Sequence, residues 1–115
     1  MEIKIIDNPV NSGEIRRLAE VSYGDMVKAV VDIERRVMAV GGELHADAEA
    51  VLLEHGSKQV DLWGINIYPN NSSDDLLEYT SLINISPRRG NRSMTVEDPT
   101  LRQHIAEIVN HLIIQ

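Results

Sequence analysis

The stretch 26–40, MVKAVVDIERRVMAV, sets the tightest limit on the fold. It is long enough for a helix, but Val27, Val30, Val31, Ile33, Val37 and Val40 crowd it with side chains branched at Cβ. Such side chains lose rotamer freedom against a preceding helical turn and pack well on a pleated surface. The stretch is therefore expected to be a β-hairpin turning near Glu34 and Arg35. Gly41 and Gly42 follow directly, where they would damage a helix and suit a bulge or bend. A hairpin at this point makes an antiparallel sheet the element around which the rest must pack.

The flanking segments fit that frame. Residues 2–6 alternate and are rich in Ile, as a short strand requires. Asn11 with Glu14 resembles a capping box, so a helix is expected over 12–23, with Ile15, Leu18, Ala19 and Ser22 on one side and Gly24 as the stop. Asp47 suits an N-cap for a short helix over 48–55 ended by Gly56. Residues 60–68 and 76–86 read as two strands of a hairpin. Asp98-Pro99 opens a last helix, because Asp caps and Pro has no N–H to lose in the first turn. Leu101, Ile105, Ile108, Val109 and Leu112 form its apolar stripe. The order β-α-β-β-α-β-β-α predicts an α+β fold: a mainly antiparallel sheet of about five strands with three helices on one face.

The 115 residues make one domain's worth of core, expected as a single α+β domain over 1–115. The chain has no cysteine, which excludes disulfides, Cys-ligated zinc, iron–sulfur clusters and a thiol nucleophile. A formal charge of −7 argues against nucleic-acid coating and against an anionic membrane partner. No apolar run approaches the roughly 20 residues of a membrane helix. MEIKIIDNPV lacks the pattern of a signal peptide, so a cytoplasmic protein is expected.

Alternation along each strand divides the sheet into two faces. Val27, Ala29, Val31, Ile33, Met38, Val40, Leu44, Trp63, Ile65, Ile67, Leu77, Tyr79, Ile83 and Ile85 are placed against the helices. The other face carries Lys28, Asp32, Glu43, His45, Asn66, Glu78 and Asn84 together with Val30, Val37, Ala39, Leu62 and Leu82. Those last five could form an apolar island, which is expected either to seat a second copy as a homodimer or to remain a scattered, solvated surface.

Three groups could carry chemistry. In an extended stretch Glu43, His45 and Asp47 point the same way, a pattern that suits a divalent metal or general acid–base catalysis by Glu43 and His45. Asp47 has a competing role as helix cap. Arg88, Arg89, Asn91, Arg92 and Ser93 surround Gly90 in the long connection before the last helix. Arginine forks match carboxylate and phosphate oxygens, so this loop is expected to bind an anionic small molecule or an acidic partner. The alternative is that these arginines pair with surplus acids such as Glu43, Asp74 or Asp75. Asn66 and Asn84 are the third group, each within a strand that disfavours Asn. With the hairpin centred near residue 72, Asn66 should lie opposite residues near 78 and Asn84 opposite residues near 60. The two could line one groove but not form one clamp. His55, His104 and His111 lack metal-ligand spacing, and no serine has the context of a nucleophile elbow.

DMVKAVVDIERRVMAVGGELHAD, LLEHGS, DLWGINIYP, SLINISP with GNRS, and VEDP, taken in that order, resemble a family of small prokaryotic domains of unknown function. The resemblance covers most of the chain and implies no reaction, cofactor or residue role. The residues themselves favour a binding module that recognises an anionic ligand through the Arg-rich loop, with no cofactor. The alternatives are a hydrolase using the Glu43–His45–Asp47 edge, with or without a divalent metal, and a non-enzymatic homo-oligomeric interaction protein.

Overall fold

The computed structural model describes residues 1–115. Strands β1 (Ile3–Ile6) and β2 (Val10–Asn11) lead into helix α1 (Ser12–Glu20). The hairpin β3 (Val27–Asp32) and β4 (Val37–Gly41) precedes α2 (His45–Glu54). Then come β5 (Leu62–Ile67), β6 (Leu77–Glu78), α3 (Pro99–Leu112) and β7 (Ile113–Ile114). The fold is α+β. Its main sheet has five strands in the order β1-β4-β3-β5-β6, every pair antiparallel. A second ladder pairs β2 with β7 in parallel and joins the two ends of the chain.

The hairpin turns where the sequence places it, and a buried carboxylate fixes the turn. Asp32 is fully buried at the end of β3. Its Oδ1 accepts the N–H groups of Glu34 (3.0 Å) and Arg35 (2.9 Å), and its Oδ2 accepts the Ser57 hydroxyl (2.6 Å). The side chain thus replaces the backbone partners that a tight turn lacks. Arg36 takes the left-handed conformation that closes the turn, at φ 59°. At the other end of β4, Gly41 has φ 114° and lies under the β1 backbone; a Cβ there would sit 2.1 Å from the Glu2 carbonyl oxygen. No other residue type fits that approach.

The two helix starts flanking the sheet differ. Asp98 caps α3 through Thr100 N–H at 2.9 Å, as expected. Helix α2 begins at His45, so Asp47 is not its N-cap; it sits inside the first turn and its Oδ2 reaches back to the Leu44 N–H at 3.1 Å. That contact is the return half of a capping box, so the carboxylate still secures the helix start from two residues further in.

The helices are split between the faces rather than gathered on one. Helices α1 and α3 cover the larger core, in which Ile15, Leu18, Ile105, Ile108 and Leu112 meet Val27, Ala29, Val31, Met38, Val40, Trp63, Ile65 and Ile67. Helix α2 covers the other face, where Ala48 and Leu52 pack on Val30, Val37, Ala39 and Leu62. The apolar island that the sequence offered to a second copy is thus a second core beneath α2. Only Leu82 of that group remains exposed, at 72%. Residues 41–44, with Gly41 and Gly42 both at positive φ, carry the chain across the sheet edge to this side.

The expected long strand over 76–86 also differs. It pairs with β5 only at Leu77 and Glu78, then leaves the ladder through 3₁₀ turns at Leu82–Asn84 and Pro87–Arg89. The cause lies in β5. Gly64 has no Cβ, and Ser81 folds over it so closely that a Cβ would meet Ser81 Cβ at 2.5 Å. With the chain across the sheet instead of beside it, Gly64 needs another partner, and Asn84 supplies it.

Candidate functional site

The segment 79–97 is built on two asparagines that imitate backbone. The fully buried Asn84 accepts the Gly64 N–H at its Oδ1 (2.8 Å) and donates from Nδ2 to the Gly64 carbonyl (2.9 Å) and the Met94 carbonyl (3.1 Å). A primary amide carries the same donor and acceptor as a peptide group, so it continues the ladder that β6 abandons. Asn91 donates from Nδ2 to the carbonyls of Asn84, Ser93 and Thr95 and accepts the Glu97 N–H at Oδ1 (2.8 Å). Ser93 donates its hydroxyl to the Thr95 carbonyl at 3.0 Å.

The Arg-rich loop is bound in part to its own fold, and Arg88 and Arg89 line an open cleft of about 550 Å³. Arg89 lays its guanidinium 3.7 Å above the Trp63 ring. It donates to three main-chain carbonyls, Val60 (3.2 Å), Leu62 (2.7 Å) and Ile83 (3.3 Å). Burial lowers its pKa from the ordinary arginine value, but a guanidinium remains charged near neutrality. Its donors hold the loop to the end of β5. Arg88 and Arg92 are exposed, and only the backbone N–H of Arg92 makes a contact, with the Glu97 carboxylate at 3.3 Å. Neither pairs with Glu43, Asp74 or Asp75. Of the ligand-binding residues expected here, Arg89, Asn91, Ser93 and Asn84 hold the fold, and the two free arginine side chains do not converge on a buried polar group.

The Glu43–His45–Asp47 edge also separates. These residues lie in a bend and the first helical turn, not in an extended stretch. Glu43 is exposed, Asp47 holds the Leu44 N–H, and no group of three His, Asp or Glu side chains converges to hold a metal ion. His45 is 9% exposed, with Nε2 2.8 Å from the Ile65 carbonyl. A carbonyl oxygen only accepts, so Nε2 carries the proton. Burial pushes the imidazole pKa below its usual value, and the nearby Lys28 ammonium acts in the same direction. The bond to the Ile65 carbonyl fixes the tautomer and leaves Nδ1 as the ring's acceptor nitrogen. Two of the other three histidines also face carbonyls: His55 at Val51 (2.8 Å) and His104 at Ile33 (3.2 Å).

Asn66 behaves differently from the other asparagines. It lies opposite Glu78, as the hairpin register predicts, and opposite Lys28 on its other side. Its Nδ2 donates to Glu78 Oε1 (2.7 Å) and to the Thr80 carbonyl (3.3 Å). Its Oδ1 is buried and has no partner, although the residue is only 8% exposed. An unmatched buried acceptor costs roughly 1–3 kcal/mol, and this one is closed off from solvent. Lys28 is half-buried beside it and forms no ion pair or hydrogen bond; its ammonium sits 5.2 Å over the exposed Tyr23 ring.

These two side chains line a cleft of about 340 Å³. His45, at the start of α2, forms one wall, and residues 80–83 with Met94 form the other. Leu44 (56% exposed), Leu82 (72%) and Met94 (40%) stand around its mouth. An unpaired lysine and an apolar rim thus share one concavity, a combination found at small-molecule sites. The sequence reasoning selected Asn66 and His45 but missed Lys28, Leu44, Leu82 and Met94 as site residues. Strand alternation had already placed Lys28, His45, Asn66, Glu78 and Leu82 on one face, and that shared face was the available signal.

The fold and the cleft define the class: a small α+β domain whose five-stranded antiparallel sheet is covered by helices on both sides. Residues 4–112 match the family described as protein of unknown function DUF5674, and the chain belongs to it. No curated protein and no solved structure matches the chain. No helix is long and apolar enough to cross a membrane.

Proposed function

We propose that this protein is a binding module for a small anionic ligand with an apolar body, held in the cleft between Lys28, Asn66 and the start of α2. The observation that carries this reading is Lys28, a half-buried residue whose ammonium has no counter-ion in a chain of net charge −7. Acids outnumber bases in this chain, 18 against 11, yet none neutralises this base. The exposed Leu44, Leu82 and Met94 supply contact for the apolar part. The anionic ligand expected from the sequence is retained, but its receptor moves from the Arg88–Arg92 loop to the opposite side of residues 80–83. A small cytoplasmic metabolite fits this cleft better than a macromolecular surface, because the cavity holds only about 340 Å³.

The test is a titration of ¹⁵N-labelled protein with 4-methylpentanoate. Amide shifts are expected to centre on Lys28, Asn66, Leu82 and Met94, and Lys28→Met should weaken binding at least tenfold. Shifts centred on Arg88 and Arg92, or no saturable shift, would overturn the reading.

A further inference from the structure

The main sheet has two edges, and the fold treats them differently. The β5 side is closed. Strand β6 pairs with Asn66 and Ile67, Asn84 takes the Gly64 N–H and carbonyl, and Arg89 takes the Leu62 carbonyl. Past β6, Tyr79 and Ser81 bond in turn to Val96 and Met94. Strand β1 ends the sheet on the other side with β4 as its only neighbour. The Glu2 carbonyl accepts the Gly42 N–H at 3.1 Å, and antiparallel bonding alternates along a strand. Lys4 and Ile6 therefore turn their main-chain groups to β4, and Ile3 and Ile5 turn theirs outward, where nothing in the chain bonds to them. Folds commonly blunt such an edge with a charge, a proline or a bulge. Here the charge within β1, Lys4, is held by Glu14 at 3.0 Å.

The side chains decide what this edge takes. Glu2 and Lys4 stand on the α1 face, Glu2 bonded to Arg17 at 2.9 Å and Lys4 to Glu14, with Arg17 also reaching Glu14. Two acids and two bases make this corner neutral in a chain of net charge −7, so a second copy meets no repulsion there. A two-fold axis through Ile3, perpendicular to the sheet, sets Ile3 opposite Ile3 of the second copy. It also sets Glu2 opposite Lys4 of the second copy, and Lys4 opposite its Glu2. Opposite charges facing one another across strands stabilise the pairing, and like charges oppose it. An axis through Lys4 would set Lys4 against Lys4, and one through Ile5 would set it against Ile6. We propose that the β1 edge pairs antiparallel with β1 of a second copy, centred on Ile3, to make one continuous sheet. Because the β5 side is closed, the pairing ends at two copies instead of growing into a fibre. An unrelated strand satisfies the main-chain groups alone; a second copy also presents Glu2 and Lys4 in the reversed order that the edge requires. The proposal is independent of the cleft, whose Lys28 and Asn66 lie on β3 and β5.

The test reads mass and amide protection together. Sedimentation of the wild-type protein is expected to show monomer passing to dimer as concentration rises. The Ile3 and Ile5 amides should gain protection from hydrogen exchange over the same range. Glu2→Lys and Lys4→Glu each turn two attractive pairs into repulsive ones and should weaken association about tenfold. Mixed together, the two variants carry opposite charges at both positions and should form a mixed dimer. Should a charge variant not fold, Ile5→Pro supplies the loss of association, because the N–H it removes points away from β4. Wild-type protein that stays monomeric at its highest soluble concentration would overturn the proposal. So would a dimer whose Ile3 and Ile5 amides remain unprotected, since its interface then lies elsewhere. A mixture of the charge variants that stays monomeric would overturn the register, and a mass that climbs past the dimer would overturn the closure.

Discussion

At the scale of the residue, the informative contrast is among side chains of the same type. Asn84 and Asn91 have their amide groups matched to backbone, and Asn66 does not. Asn84→Ala strips Gly64 of both partners inside the fold. It should cost about 2–4 kcal/mol, the penalty of buried backbone groups left unmatched, as read from urea unfolding. His45 makes a second residue-scale prediction. Its pKa in the folded protein is lowered, chiefly by burial, so between that value and the unfolded value of about 6.5 the unfolded chain binds more protons. Stability therefore rises with pH across this window and falls as the pH drops through it. His45→Gln should flatten that slope, and unfolding free energies measured from pH 4.5 to 7.5 check the sign. None of this was legible from residue type alone. An Asn in an apparent strand signals only that something other than strand propensity is at work, and which of three asparagines keeps a free atom depends on contacts across the fold.

At the scale of the element, sequence patterns succeeded where local chemistry decides and failed where a distant backbone does. The hairpin 26–40, the Asp98 cap and the α3 stripe follow from branching, capping and periodicity, all contained within a few residues. The strand expected over 76–86 has equally good local credentials, yet it ends at Glu78 because Ser81 crosses Gly64. Nothing within 76–86 encodes that crossing; the signal is a glycine in another strand. Likewise, α2 has the composition of any short helix, and its side of the sheet depends on the path of residues 41–44. Gly64→Ala tests this account directly. Its Cβ would lie 2.5 Å from Ser81 Cβ and 2.6 Å from Ser81 Oγ, so it should destabilise by about 1–3 kcal/mol, the usual cost of overpacking. Ser81→Gly in the same chain removes both clashing atoms and should recover most of that loss. A double variant no more stable than Gly64→Ala alone would refute a steric origin.

At the scale of the whole molecule, the chain distributes its apolar residues over two cores separated by one sheet. The larger core contains Trp63, and the smaller one is closed by Ala48 and Leu52 of α2. Strands β3, β4 and β5 contribute to both: Val31 faces one core and Val30 the other, one residue apart on β3. A strand cannot leave one layer without leaving the other, so the two cores should melt together. Leu52→Ala removes buried contacts only on the α2 side and should cost about 2–4 kcal/mol, as large-to-small changes in packed sites do. The consequence reaches across the sheet. Trp63, buried on the far side under Arg89, should report the same shifted denaturant midpoint by fluorescence as the helices do by far-ultraviolet circular dichroism. Coincident transitions are the mark of all-or-none unfolding. Separate midpoints, with the Trp63 signal unmoved by Leu52→Ala, would mean that α2 is an independent cover. The cleft, one wall of which is the start of α2, could then open without loss of the larger core. With coincident transitions, the cleft is as permanent as the sheet, and a ligand in it stabilises the whole molecule by linkage.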